Sequence, residues 1–474
     1  MRTAVGLVVF LALAGGIRVA AGAQEQNSSS AANPFYGSVT AEPLSAEPLK
    51  LSLDDAIQRG LKNNLGVREA ENSELTLHGE KNQVLQAFLP TITAGADTGY
   101  YMHDLAALGF GPGAIAEFGN KIPAGFSTIT RDDLTDIKGQ FSEVLFSGPV
   151  IAAFKAAGAA ERAAYFGKMT ARGEAVQQVA TVYLRAIADK SNVENAQAQV
   201  DEAQVLFDHE HEAHEAGTVA NLEELRARVE LEAQQQALIG AQNQQAKDLI
   251  LLKREIGVTP AQEILLTDAA PYNQLAAQTP EEARALAYKS RQDYQNQQNQ
   301  VVVYKALYTS ARAERLPTLS FYSYYQTSTV NQAGTHGNYL AMGTLSIPIF
   351  REAKLRGDVD ASRAQLDAVN AQLDDLRGHI DQQVRSALLD VNANAQLVDV
   401  ARSNVELATR ALSDEKDRVD AGVDDNLPLV TAQAELATAQ SNLVESLFQY
   451  NVSKLALARA CGVLEQQYRT YLGQ

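Results

Sequence analysis

The residues best suited to chemistry lie in one run, Asp208-His209-Glu210-His211-Glu212-Ala213-His214-Glu215. Imidazoles and carboxylates ligate divalent cations, and imidazole also changes charge near neutral pH. His211 and His214 are three apart, so on a helix they share a face and could share a metal. The spacing is not that of a zinc protease, because in HExxH the second histidine falls one residue later. A pH sensor and a solvated charged face are the other readings of this run. Further carboxylates follow two Ala-Gly pairs: Glu223 and Glu224 come after Gly217, and Asp424 and Asp425 after Gly422. Repeated by symmetry around a pore, such acids would favour cations. On a single chain they would be a solvated turn or helix N-caps. The other four histidines are scattered, and there is no Gly-rich phosphate loop, CxxC pair or GxSxG. Neither a catalytic constellation nor a cofactor site is expected.

The elements that position these residues are duplicated. Ala216-Gly217 and the residues to Leu222 recur as Ala421-Gly422 to Leu427, about 205 residues on. About forty residues beyond each glycine comes a second one, in Ile256-Gly257-Val258 and Cys461-Gly462-Val463. Leu89-Pro90-Thr91 recurs as Leu316-Pro317-Thr318, and Leu145-Phe146 as Ile349-Phe350. A period near 200 residues is a duplicated half-molecule, not a short solenoid unit.

Arg2, the apolar run Val5 to Ile17 and the small residues Ala21-Gly22-Ala23 read as a secretory signal cleaved after Ala23. Residues 24–50, rich in Ser, Ala, Glu and Pro, read as an extended or mobile leader. Cys461 is the only cysteine, so an exported chain must be held by packing without an intrachain disulfide. A formal charge of −17 argues against nucleic acid as a partner. Beyond the signal no apolar stretch approaches the roughly 20 residues of a membrane-spanning helix.

Between Phe146 and Gly217, and between Phe350 and Gly422, no proline interrupts the body of the segment. Each reads as one helix of about 65–70 residues, roughly 100 Å at 1.5 Å per residue. Leu366, Val369, Leu373, Leu376 and Ile380 step by three and four, and Leu436, Leu443, Tyr450 and Leu457 by seven, as coiled-coil seams do. Ala156, Ala160, Ala163 and Ala164 would let helices approach closely. Gly217 and Gly422 then end each long helix, and a second helix of about 38 residues runs back. Two helical hairpins result.

Ahead of each hairpin stands a short non-helical block. Leu319 to Tyr325 and Tyr339 to Ile347 read as strands of about ten residues, the length and texture of an outer-membrane strand. Tyr100, Tyr101, Tyr324, Tyr325 and Tyr339 would sit at an aromatic girdle, or serve as ordinary strand aromatics. Residues 102–137 would form a long outer loop, and residues 329–336 a short one. Two strands per repeat make four per chain, whereas the smallest outer-membrane barrels use eight. Open edges cannot face lipid, so a spanning sheet needs further copies. Three chains would supply twelve strands.

In the order and spacing of these landmarks the chain resembles the TolC-like outer-membrane efflux proteins. Leu51-Ser52-Leu53-Asp54-Asp55-Ala56-Ile57 with Asn63-Asn64-Leu65, the Leu-Pro-Thr strand starts, Phe146-Ser147-Gly148 and the Ala-Gly turns carry the resemblance, over about residues 50–465. It implies a mainly α fold with a small membrane β part, trimeric, its twelve-stranded β-barrel continued by an α-helical barrel in the periplasm. Implied too are a place in the outer membrane, contact with its lipid, and docking on a periplasmic adaptor and an inner-membrane transporter. The family's gate carboxylates fall about six and nine residues past the second turn glycine, where this chain has Pro428 and Thr431, leaving Asp424 and Asp425 as stand-ins. The adaptor-contact turns would be Gly217, Thr218, Asn221 and Leu222, with Gly422, Val423, Asn426 and Leu427.

The expected divisions are a signal over 1–23, the leader over 24–50, repeat one over 51–262, repeat two over 275–465 and a tail over 466–474. Repeat one holds a strand pair at about 89–147 and a hairpin at 148–256, and repeat two a strand pair at about 317–350 and a hairpin at 351–461. The expected function is the passive exit duct of a tripartite efflux or type I secretion system. A periplasmic or secreted coiled-coil scaffold is the alternative, disfavoured by strands that a scaffold does not need. No residue names the cargo.

Overall fold

The computed structural model describes residues 33–39, 42–108, 129–269, 272–330, 334–421 and 426–473. The expected signal peptide lies outside the described residues, as do Gly422, Val423, Asp424 and Asp425.

Strand β1 (Leu49–Leu51) leads into helices α1 (Leu53–Asn63) and α2 (Leu65–Leu85). Ser52 caps α1, accepting from the Asp55 amide, and Asn64 ends α1 and caps α2. Strands β2 (Thr91–Asp104) and β3 (Ile129–Phe146) follow, then the long helix α3 (Gly148–Glu215) and its return partner α4 (Asn221–Ile256). The second half begins with β4 (Ile264–Leu266) and helices α5 (Pro280–Ser290) and α6 (Gln292–Ala313). It then repeats the plan with β5 (Thr318–Val330), β6 (Gly334–Ser346), α7 (Glu352–Asp420) and α8 (Asn426–Ala460), closing on α9 (Leu464–Leu472). The fold is mainly α, with a duplicated strand pair and helical hairpin.

Local chemistry sets the long helices. Pro149 sits in the first turn of α3, where its missing N–H is not needed, and no later proline breaks the helix. α3 runs 68 residues and α7 69, each about 100 Å long at 1.5 Å per residue. At the end of α3, Gly217 has φ +74°, its N–H donates to His214 O, and the Thr218 N–H reaches back to Ala213 O. This Schellman closure satisfies the last carbonyls and needs a residue tolerant of positive φ. Gly462 repeats it after α8, at φ +75°, with Val463 N–H donating to Ala458 O.

Packing follows the heptads. Ala152, Ala156, Ala159 and Ala163 are buried on α3, and two of them form a small cluster with Val303 and Ala306 of α6. Of the alanines anticipated, Ala156 and Ala163 are buried and Ala160 and Ala164 only partly so, with Ala159 taking the seam position beside Ala160. Val369, Leu373 and Ile380 of α7, and Leu436, Tyr450 and Leu457 of α8, are buried. The largest core lies at the waist, where α1, α3, α4, α7, α8 and α9 converge on the parallel pair β1–β4. Tyr183 of α3 is fully buried there, and its hydroxyl donates to Leu51 O and Asp268 Oδ2, each at 2.9 Å.

Three features go beyond the expectations. The described part of the leader is docked: Ser38 bridges Asn64, the Glu42 N–H donates to Gly257 O, and Arg59 lies 2.6 Å from Glu42 Oε2. The tail is helical, and Tyr468, Tyr471 and Leu472 fill the waist core. The strands also exceed ten residues, with 14 and 18 in repeat one and 13 each in repeat two. Glycine and charged residues at 129–146 mask the pattern there, although backbone pairing tolerates them.

A Cβ on Gly462 would meet Arg291 N and Cα at 2.6 Å, whereas Gly217, with the same positive φ, has no atom within 4 Å. Gly462→Ala is therefore expected to lose about 2–5 kcal/mol, from left-handed strain plus overpacking, and Gly217→Ala only about 1–2 kcal/mol. Denaturant midpoints of the helical signal check the ordering.

Candidate functional site

Two places can act: the sheet at one end of the chain and the hairpin tips at the other. The sheet is antiparallel, in the order β2-β3-β5-β6. Register puts directly paired residues on one face. Ile92, Ala96 and Tyr100 of β2 share a face with Phe141 and Ile137 of β3, Phe321 and Tyr325 of β5, and Leu345 and Tyr339 of β6. The middle of that face is mainly apolar and open, with Ile137 61% and Tyr339 82% exposed, while Asp133 and Glu143 lie toward its two ends. The opposite face carries Thr93, Asp97, Asp136, Lys138, Gln140, Tyr322, Tyr324, Gln326 and Ser328. Several of its groups pair with one another: Tyr322 donates to Gln140 Oε1 at 3.0 Å, Gln326 to Ser328 Oγ at 3.0 Å, and Lys138 Nζ sits 4.2 Å from the Tyr324 ring centre. Among the described residues β2 and β6 are each paired on one side only. A sheet with a mainly apolar face, a more polar face and two open edges has the pattern of outer-membrane strands.

At the far end, the first tip brings three of the anticipated residues together. His211 Nδ1 lies 2.8 Å from Glu224 Oε1, and His214 Nε2 lies 3.7 Å from Glu224 Oε2. Glu224 thus ties α4 back to α3 across the turn. The His211 ring stacks on Phe207 at 5.8 Å, and its Nε2 lies 3.7 Å from Glu215. Glu223 does not join them and instead pairs with Arg226 at 2.9 Å. Thr218 closes the turn through its hydroxyl, which donates to Ala213 O at 2.8 Å, and Asn221 opens α4. Leu222 and its counterpart Leu427 are both exposed at the tip, and Asn426 opens α8. Among the described residues no group of three or more His, Cys, Asp or Glu is arranged to hold a metal ion.

Sequence reasoning did not single out the buried ionisable groups between the helices. Glu255 of α4 is fully buried, accepts from Gln178 at 3.0 Å, and burial pushes its carboxyl up to about 8. Lys454 of α8 is fully buried; burial brings it down to about 8, and its Nζ donates to Asn273 O at 3.2 Å. Helical periodicity marks where these positions fall but not the partner opposite.

Comparison with known proteins fits this geometry. The sequence profile described as outer membrane efflux protein matches residues 56–258 and 283–463. The outer-membrane channel CmeC of Campylobacter jejuni superposes with a TM-score of 0.72 at 15% identity, over 87% of this chain and 86% of that one. A membrane protein from Pseudomonas aeruginosa gives 0.74 at 19% identity, over 86% and 93%. The MtrE outer-membrane channel of Neisseria gonorrhoeae gives 0.71 at 16% identity, over 90% and 95%. A search of curated protein sequences finds no match. The fold is that of outer-membrane channel subunits. The chain belongs to the outer membrane efflux protein family. It is an efflux channel of the outer membrane, with its helices on the periplasmic side, and not an enzyme.

The hydrogen bond to Glu224 raises His211 above its ordinary value, partly offset by desolvation and helped by Glu215 and Asp208. A raised histidine favours the folded tip most below an unfolded histidine's value of ~6.5, and that support is lost as pH rises through the higher folded value. Glu224→Gln is expected to return His211 toward ~6.5 in side-chain NMR titration. An unchanged midpoint would show that Glu224 does not set it.

Proposed function

We propose that the chain is the exit duct of a tripartite efflux or type I secretion system, working as a passive homotrimer. The observation that carries this is the four-stranded sheet with one apolar face and two unpaired edges. β2 and β6 run in opposite directions, so β6 of one copy continues into β2 of the next without breaking the antiparallel pattern. Three copies make twelve strands, enough for an aqueous lumen. The helices offer matching surfaces. Leu222, Leu225, Val229, Ile239 and Ile250 form an exposed apolar stripe on α4, and Leu389, Leu397, Val400 and Leu407 one on α7. α4 packs chiefly on α3, and α7 on α8 and α6, so these outermost helices are free to meet α7 and α4 of neighbouring copies.

In this reading residues 1–23 are the export signal, and each repeat contributes one strand pair to the lipid-facing barrel and one hairpin to the periplasmic one. No bond is made or broken. The work is done by an inner-membrane pump, and a periplasmic adaptor docks at the turns: Gly217, Thr218, Asn221 and Leu222 of repeat one, with Gly422, Val423, Asn426 and Leu427 of repeat two. The tips narrow the pore when undocked and splay when docked. Glu223, Glu224, Asp424 and Asp425 would ring that aperture and favour cations.

The test is extraction. The protein should fractionate with the outer membrane, require detergent, and have a particle mass of three chains. In a planar bilayer it should conduct ions, and Asp424→Asn with Asp425→Asn should weaken cation preference. A water-soluble monomer or dimer would end the duct reading and restore the coiled-coil scaffold.

A further inference from the structure

Partway along the first hairpin, α3 carries a carboxyl where a helical seam ordinarily carries an apolar side chain. Asp189 follows the buried Ala186, Ile187 and Ala188 and is itself only 5% exposed. Its Oδ2 is shut off from solvent with no hydrogen-bond donor beside it. Across the hairpin it faces a second carboxyl, Asp248 of α4. The other oxygen environment of Asp248 is conventional, since Gln244 Nε2 donates to its Oδ2 at 2.8 Å.

The remaining charges that face Asp189 are Arg185 of its own helix and Glu445 of α8. Arg185 is already engaged. Its Nη1 lies 2.8 Å from Glu445 Oε2, and its guanidinium lies 3.7 Å from the ring centre of Phe448, so it fastens α3 to α8. Burial raises Glu445, but the bonds from Arg185 and Gln449 outweigh that and leave it below the usual carboxylate range. Glu445 therefore holds Arg185 as a firm anion. Asp248 is partly exposed, but Asp189 is shut off from water, so a charge on Asp189 would face a second carboxylate with little solvent to screen it. Ionisation is opposed at Asp189, the more buried of the two, and a proton there supplies the donor that its Oδ2 otherwise lacks.

We propose that Asp189 and Asp248 form a proton-binding site that clasps α3 to α4, and that its deprotonation draws Arg185 off Glu445 and loosens α8 from α3. Arg185 and Asp189 stand one helical turn apart on α3, so a newly ionised Asp189 competes with Glu445 for the same guanidinium. A cavity of about 320 Å³ adjoins Asp189 between α3, α4 and α8, with Asn192, Gln199, Gln234, Gln244 and Gln440 among its lining. It offers room for water beside the freed Asp189 carboxylate and slack for a shift of α8. Burial first, and the Asp248 carboxyl second, raise Asp189 to about 7. The clasp's contribution to folding is whole below an unfolded aspartate's value of ~3.9 and is lost as pH rises through about 7. The site stands on contacts within one chain and does not depend on the duct reading.

The test uses the full-length protein in detergent, with infrared spectroscopy for protonated carboxyls and hydrogen exchange for α8. The wild type should show a protonated-carboxyl band that disappears as pH rises through neutrality. Asp189→Asn and Asp248→Asn should each remove it. Glu255, the other buried carboxyl raised toward neutral pH, gives a second band that only Glu255→Gln removes. Exchange around Glu445 should accelerate across neutral pH beyond its intrinsic base dependence, and Asp189→Asn should abolish that step. If Asp189→Asn does not fold, Asp248→Asn alone decides, because its carboxamide can still donate to Asp189. A band that survives both variants, or an exchange step unchanged by them, overturns the proposal.

Discussion

A backbone amide in hydrocarbon must be hydrogen-bonded, and that requirement governs this chain. β2 and β6 each present a row of N–H and C=O groups with no strand partner among the described residues, beside a face whose tyrosines, isoleucines and leucines are suited to lipid. Each unpaired group would cost several kcal/mol in a bilayer. Four strands cannot curl far enough to pair their own edges, so in the proposed duct closure comes from further copies. On that reading oligomerisation is a condition of the fold and not an addition to it.

The helical part inherits that geometry. Each strand pair hands over directly to a helix of nearly 70 residues, so the direction of the wall continues as a second wall of helices. Such helices cannot be stabilised by propensity alone and depend on packed seams. Small residues serve near the sheet, where Ala156 and Ala159 meet Val303 and Ala306; larger ones serve lower down, where Leu206 packs with Leu412, Leu429 and Leu436. The waist joins the halves. There Tyr183, Asp268 and Leu51 tie α3 to the start of each repeat, and Arg291 reaches Gln383 Oε1 at 2.6 Å and Ala460 O at 3.3 Å to tie α5 and α6 to α7 and α8.

What the sequence disclosed was periodic or punctuated. Duplicated Ala-Gly and Leu-Pro-Thr landmarks located the turns and strand starts, and heptads at Leu366 to Ile380 and Leu436 to Leu457 located the seams. The aromatic run Leu319 to Tyr325 betrayed β5, yet β3 was hidden because Asp132, Asp133, Lys138 and Gly139 interrupt its alternation. Pairings between distant segments were not legible. His211 and His214 stood out by spacing, but their partner Glu224 is fixed by the geometry of the Schellman turn. Asp189 and Asp248 lie 59 positions apart, and only the antiparallel register of α3 and α4 makes them neighbours. The leader looked featureless because its order comes from the surfaces that receive it, not from its own pattern.

The central claim, that neighbouring copies close the sheet through β2 and β6, is tested most directly by disulfide trapping in the outer membrane. Cysteines are placed in pairs along the two edge strands, one on β2 and one on β6, and oxidised in place. Native Cys461 is buried and does not interfere. Some register should give a covalent ladder ending at three chains on a denaturing gel. Absence of interchain linkage at every register, or linkage confined to a single chain, would contradict the account.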